Sequence, residues 1–566
     1  MTQVDLPALA AGLASPSPKV NATAALNALA QMEIPDTDIE VWVGDKMYGL
    51  QGYCQDYISL QVQWPRNDVE TGRILLKGSD PMVRPMRQCS KTVVPVVIEC
   101  DELMFNGRVA DTDYALDERG NWTLTASLIG DTNYLNHVLC WVNFLTPIEY
   151  QGPLREAIYM GPACTVIETL IAEQTFRLQS GLNSMLNALS SLDLDWRAWF
   201  ARFLETNGDL TDMLFSPVYV IHHDFFTDTS PWVSIEGRFD VVLDLIKQTI
   251  KDNGLDLEIK LFRPGIDPQP DPDNITLKVH TYVVRVFDRS GITGPTKSFI
   301  DGGFKDIAEL QDGLFGQNTN IVTSAQTQQL ASEGIYIAPE IGVNWTAPTA
   351  MVIADHPKAP LLSANIYDHH AMAYQLIVGG KSPQWLDDMI SATLEWAVDA
   401  ITMLIGVTGI PSNLLDGLFS DTILAFELAI DEDRYIENGP YAYPEQMFPT
   451  ASQPYNVDAI FALMSGAWDT RGWTAAKVSF LNGAGGLRVG RNIFRGAPMV
   501  VALQETGEAL VDYVENIELL DDRNTNRARI TVTVGDGKLA ENPMTIIQRK
   551  QKDFWKALSA MTLQDQ

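Results

Sequence analysis

Residues 105–131 read FNGRVADTDYALDERGNWTLTASLIGD, and residues 512–536 read DYVENIELLDDRNTNRARITVTVGD. Each holds a valine-centred run, then Leu-Asp-acidic-Arg, then a short Asn-bearing turn and an alternating run that closes on Gly-Asp. Alternation at period two marks a strand with one buried face. Asp, Gly and Asn in the turn accept the backbone that a hairpin demands. Aligned as 116–131 on 520–536, the two stretches differ by one extra turn residue in the second. This reads as one β module written twice.

Working outward from the first copy, strand-like runs at 39–44, 57–64, 72–78, 93–100, 103–110 and 122–130 are separated by Gly, Asp, Asn and Pro turns. Short strands at that spacing predict a small antiparallel β-barrel or sandwich over 34–147, and a second β region spans 488–547. The fold class expected is α+β and multidomain: two small antiparallel β-barrels as an internal pseudo-repeat, with helical insertion domains between them. A chain of 566 residues exceeds what one core usually supports. Residues 1–33 read as an arm with a short helix capped by Asn21. Residues 148–262 read as an α/β helical domain, 263–380 as a β-rich domain, 381–487 as a helical insertion and 548–566 as a basic amphipathic helix.

Within these blocks, residues 153–178 place Val166, Leu170, Ile171 and Phe176 near helical spacing, and 182–205 carry Trp196, Trp199, Phe200 and Phe203 as a core stripe. Residues 239–254 predict a helix burying Phe239, Val242, Leu243, Ile246 and Ile250 and capped at Asn253-Gly254; a half-exposed strand is expected at 255–262. A Pro/Asp linker (264–274) and a polar connector, expected to be mobile (300–330), flank a β run at 275–288, and further strands are expected from 335 to 378. In 384–430, Ile390, Leu394, Val398, Ile401 and Ile405 share one face against Asp388, Glu395 and Asp399. The uncharged run 400–415 is 16 residues long and holds Pro411, short for a membrane span, so a buried helical hairpin is expected. Near the end Phe554, Leu558 and Met561 share a face beside Arg549, Lys550, Lys552 and Lys556: an end-helix for its own domain, or a plug for an acidic neighbouring subunit.

Asp and Glu number 72 against 40 Lys and Arg, a net charge of −32. Such a surface repels phosphate backbones and disfavours nucleic-acid binding. The five cysteines (54, 89, 100, 140, 164) form no CxxC pair and suggest reduced thiols. The N-terminus lacks a basic n-region, so no secretory signal is expected.

Motifs for chemistry are weak. No HExxH, GxSxG, Walker loop or zinc-spaced Cys/His set occurs. The glycine-rich run 483–490 leads into β structure, where no helix terminus would cradle a phosphate. His222-His223 and His369-His370 are neighbours whose side chains should diverge. Asp267, Asp271 and Asp273 sit among prolines without an EF-hand pattern. Trp385, Trp396, Trp468 and Trp473 could stack sugars, although core packing is the simpler role. No catalytic, cofactor-binding or metal residue is assigned, and no cofactor is expected.

The stretch ECDELMFNGRVADTDY with TLTASLIGDTNYL (99–135), then GKSPQWLDDMISATLEW (380–396), ILAFELAIDEDRYIENGPYAYPEQMF (423–448) and LRVGRNIFRGAPMVVALQETGEALVDYVENI (487–517), resembles the central hub proteins of long-tailed phage tail tips, called minor tail proteins in phages of actinobacteria. RVGRN departs from an expected Val-Gly-Asp before its strand. The resemblance implies a non-enzymatic homotrimer at the virion tail tip, assembled in the host cytoplasm. Its implied partners are a distal tail ring protein, the tape measure protein and tip or central fibre proteins. DNA would pass through without specific binding, and host-envelope contact during infection is implied as an option. Two barrels in each of three chains would present six modules to a six-fold ring. The alternatives are a tail-tip enzyme degrading cell wall or polysaccharide, and a carbohydrate- or receptor-binding tail protein. The chain stops about thirty residues after the second β region, which reads as leaving no room for an appended hydrolase.

Overall fold

The structure is a computed structural model that describes residues 39–146, 155–179, 217–302, 348–377, 428–447, 472–537 and 549–556, apart from 55, 431 and 523–525, together with short strands at 321–322, 335–338 and 343–345 and a few isolated residues. The expected helices at 21–33 and 182–205, the hydrophobic hairpin up to residue 427, and Trp385, Trp396 and Trp468 lie outside the described residues.

The first β module comprises β1 (Ile39–Gly44), β2 (Leu50–Tyr53), β3 (Ser59–Pro65), β4 (Thr71–Lys77), β5 (Pro95–Cys100), β6 (Leu103–Leu116) and β7 (Trp122–Gly130). The chain then builds an α/β lobe from β8 (Ala157–Pro162), α1 (Ala163–Gln179), β9 (Val218–Val220), β10 (Trp232–Gly237), α2 (Val242–Asp252), β11 (Leu255–Phe262) and β12 (Thr281–Asp288). The second β module collects β13 (Ala350–Ile353), β14 (Ser363–His369), β15 (Trp473–Leu481), β16 (Pro498–Ala502), β17 (Ala509–Asp522) and β18 (Asn526–Val534). Three of these strands precede residue 488.

The duplication is visible strand by strand. β6 is fourteen residues long and pairs through its first half with β5 and through its second with β7; β17, also fourteen, pairs in the same way with β16 and β18. Pro95 lies opposite Arg108, and Pro498 lies opposite Tyr513. The Val109 amide donates to Val94 O at 3.0 Å, and the Val514 amide donates to Ala497 O at 2.9 Å. Both long strands carry a bulge at the same place, between Val109 and Asp111 and between Val514 and Asn516. A bulge is one unpaired residue that bends a strand and raises its twist, and here it lets one strand serve two differently directed partners. β4 beside β7 matches β15 beside β18, and β3 beside β4 matches β14 beside β15, so Ser59 corresponds to Ser363 and Val62 to Ile366. The structural alignment places Leu116 on Asp521, one residue away from the sequence alignment on Leu520, because the extra turn residue falls nearer the hairpin tip.

The two closed barrels expected from sequence are not found among the described residues. Among the described residues the strands run in one open 14-stranded sheet, in the order β14-β15-β18-β17-β3-β4-β7-β6-β5-β1-β2, with β16 and the short strand at 321–322 on the first half of β17 and β13 on β16. The reason is β3. Its outer edge pairs antiparallel with the second half of β17, from Ser59 opposite Asp522 to Pro65 opposite Asn516, instead of closing on its own module. Alternate residues on both strands point into one shared core. Leu60, Val62, Ile74, Leu76 and Leu124 from the first module and Phe480, Val514, Ile517, Leu519 and Ile530 from the second are all 0% exposed.

The lobe follows its sequence pattern with three changes. α2 buries Val242, Leu243, Ile246 and Ile250, and Gly254 takes the left-handed turn (φ +63°) that ends it. Phe239 stays outside the helix, itself at φ +62°. Phe176 is 51% exposed, whereas Val166, Leu170 and Ile171 are buried. β11 is buried on both faces rather than one, because its second face meets the β modules, and that places the Asp256 carboxylate in the interior.

Candidate functional site

The candidate site is the junction at which the two modules and the lobe meet. It is organised by the turn between β3 and β4. Asn67 adopts φ +55°, a conformation Asn tolerates better than most residues. From this turn the Arg66 Nη1 donates to Glu515 Oε1 at 2.8 Å and its Nη2 to Gly254 O at 3.2 Å. The Asn67 amide donates to Leu255 O at 2.9 Å and accepts from the Leu257 N–H at 3.3 Å. Glu70 accepts from Arg495 Nη1 at 2.7 Å, and Arg495 Nη2 donates to Leu257 O at 3.3 Å. The Tyr513 hydroxyl donates to Ser290 O, and the Arg66 guanidinium lies 5.0 Å over the Tyr513 ring. Five residues of turn thus tie together three parts of the chain.

The charges are deeply placed. Burial alone would lower the Arg495 and Arg66 pKa values, but the carboxylates of Asp256 and Glu70 around Arg495, and of Glu515 beside Arg66, outweigh it and hold both cations protonated. Burial raises the Asp256 carboxyl against the pull of Arg495 and Arg66. Its Oδ1 lies 4.0 Å from Arg495 Nε and takes no hydrogen bond among the described residues. Breaking such a buried pair from one side strands a charge and costs about 3–5 kcal/mol.

A second tie uses the residue that closes the opening hairpin. Asp131, 1% exposed, accepts from Tyr48 Oη at 2.5 Å, Arg108 Nη2 at 2.9 Å and Asn106 Nδ2 at 3.3 Å; Arg108 also donates to the Tyr282 hydroxyl of the lobe at 3.1 Å. Burial and the Asp131 charge hold the Tyr48 phenol well above its ordinary range. Between the two ties lies a cavity of about 500 Å³, walled by Trp64, Phe105, Phe287 and Phe494 and by Glu70, Glu99, Asp101, Glu102, Asp256, Glu258 and Asp267 against Lys260, Arg289 and Arg495.

The residues singled out in sequence have structural places. His223 Nδ1 lies 2.8 Å from Glu168 Oε1, anchoring the loop after β9, while His222 is exposed. His369 and His370 do not diverge: their rings stack at 5.0 Å because β14 ends at His369, and His369 stacks on Trp473 at 5.4 Å. Asp267 pairs with Arg263, which also grips Glu99; Asp271 accepts from Tyr219 and Asn274; Asp273 is exposed. Among the described residues no three His, Cys, Asp or Glu could hold a metal, and no helix is long and apolar enough to cross a membrane. The glycine-rich run packs module on module: at Gly490 (φ +81°) a Cβ would stand 2.7 Å from the Glu102 carbonyl carbon. The basic end-helix, described over 549–556, docks on its own chain through Arg549 to Asp252 at 2.5 Å and Lys556 to Glu236 at 2.8 Å.

Across residues 38–536 the chain matches the siphovirus ReqiPepy6 Gp37-like proteins, and it belongs to that family. It is thereby a tail protein of a long-tailed phage. No curated protein matches it in sequence. Among solved structures it is similar to the 43 kDa tail protein of prophage MuSo2 from Shewanella oneidensis, at 9% identity and TM-score 0.37, covering 89% of this chain and 100% of that one. The tail protein from Neisseria meningitidis MC58 gives 8%, 0.37, 88% and 97% on the same measures. Prophage tail protein gp18 from Listeria monocytogenes EGD-e gives 10%, 0.34, 91% and 99%.

Proposed function

We propose that this tail protein is the central hub at the distal tip, a homotrimer whose six β modules match a six-fold ring above and leave a three-fold face for a tip or central fibre below. The observation that carries the reading is the register-level duplication, down to the paired prolines and the shared bulge. A partner with six equivalent contacts needs six similar surfaces, and two per chain supply them from three chains. The tape measure protein and DNA would leave through the central opening, whose acidic wall gives phosphates nothing to bind. We assign residues 34–147 to one repeat and the strands at 350–369, 473–481 and 498–534 to the other, with the intervening and helical segments at the periphery or the lumen. Cryo-EM of intact particles tests this by counting copies about the tail axis. Three copies with both modules in one six-module ring are expected. Six copies, or none on the axis, overturn the hub reading.

A further inference from the structure

The duplication has one unequal feature. In the first module β3 finds a partner beyond its own hairpin, namely the second half of β17. Its counterpart in the second module, β14, pairs with β15 and with no other described strand. Likewise the second half of β17 is flanked on both sides, by β18 and β3, whereas the second half of β6 is flanked by β7 alone among the described strands. Among the described residues the chain therefore carries two half-used edges of complementary kind, one along β14 at an end of its main sheet and one along the second half of β6, past the stretch that β5 covers.

We propose that β14 of one copy pairs antiparallel with residues 111–117 of the next, repeating between chains the joint that β3 and β17 make within one. This rests on the trimeric hub reading and supplies its inter-chain contact. The equivalences fix the register. Asn516 opposite Pro65 becomes Asp111 opposite His369; Glu518 opposite Gln63 becomes Asp113 opposite Tyr367; Leu519 opposite Val62 becomes Tyr114 opposite Ile366; and Asp522 opposite Ser59 becomes Asp117 opposite Ser363.

Burial separates the filled joint from the open edges. β3 alternates half-buried and buried along its length, and so does β17 from 516 to 522. β14 is exposed at five of seven positions, and β6 from 110 to 116 is exposed at five of seven, at the same steps of the alternation and beyond. Val62 and Leu519, facing one another in the filled joint, are both 0% exposed. Ile366 and Tyr114, their counterparts, are only partly buried, yet both already pack against the shared core. Tyr114 lies between the Trp122 ring at 4.6 Å and the exposed Arg87 guanidinium at 4.6 Å. Leu116 and Tyr367 are 53% and 56% exposed. Unpaired strand edges are templates for further pairing, and a head-to-tail contact between two different edges closes into a ring when its rotation divides a full turn. Two modules per copy and one joint geometry throughout give six modules from three copies.

The test uses the full chain with Asp113→Cys and Tyr367→Cys together in a Cys89→Ser background, treated with a short bis-maleimide whose reach tolerates either class of cross-strand pair. The expected result is a trimer by light scattering and covalent species up to three chains, with neither single variant cross-linking. The pair Gln63→Cys and Glu518→Cys, across the intrachain joint, should react without gain in mass and so reports correct folding. A trimer without cross-links overturns this joint while leaving the trimeric reading. A ladder beyond three chains supports the joint and overturns closure at three. A chain that stays monomeric and does not cross-link overturns both. Hydrogen exchange on the unsubstituted chain supplies an independent readout: amides at 111–117 and 363–369 should slow together on assembly, and unchanged exchange in a formed trimer overturns the proposal.

Discussion

Arg495 sits 425 residues from Glu70 in sequence and 2.7 Å from it in space, with Asp256 close by. Arg495→Met keeps most of the volume and strands both acids, so urea unfolding should show a loss of about 3–5 kcal/mol. Asp512 offers a pH signature. Burial lifts its carboxyl from an ordinary 3.8 to about 7, so the folded chain holds that proton more tightly than the unfolded one. The stability it confers is complete below the unfolded pKa and is lost as pH rises through the folded one. Asp512→Asn keeps an acceptor for the Tyr513 amide, and relative to it the native chain should lose roughly 2 kcal/mol between pH 5 and 8 in denaturation curves. Neither residue was legible in sequence. Asp256 lies in LDLEIKLF, whose alternation reads as a wetted face, and the pattern carries no mark of the lobe-to-module contact that covers it. Asp131 was legible as part of a repeated Gly-Asp ending, but its partners Tyr48 and Tyr282 come from elsewhere in the chain.

At the scale of elements, the joint and the open edge should respond differently to one kind of change. Val62→Ala empties a site in the filled joint and should cost about 1.5–3 kcal/mol in any assembly state. Ile366→Ala removes more carbon from the equivalent edge position, yet in the isolated chain it should cost under about 1 kcal/mol. In the assembled tail protein the two costs should converge, which thermal unfolding of monomer and oligomer would show. The strands of the first module were legible because alternation and turn residues are local signals. Closure was not. Whether β3 bends back on its own module or reaches β17 depends on a partner more than four hundred residues away, which no window of sequence contains. The terminal helix is a related case: its basic residues were plain, but the acids they meet, Asp252 and Glu236, belong to the same chain rather than to a neighbour.

For the whole molecule, the two modules share one interior, so they should not behave as separable domains. Residues 34–147 expressed alone should leave the β3 edge and the Trp64 side of the core open and should be recovered aggregated or poorly structured; a soluble, cooperatively unfolding fragment would show that each module has a sufficient core of its own. The same feature sets a clock on biosynthesis. Val62 leaves the ribosome 457 residues before Leu519, its neighbour across the joint. At about 5–20 residues per second, that interval is ~25–90 s. Throughout it the nascent first module carries an unprotected edge, and a polysome lines up many such chains at the same stage. The joint cannot form in order of synthesis, only at the end, so a slowed ribosome or a missing holdase should act on this protein far more severely than on a chain of equal length built from local pairs.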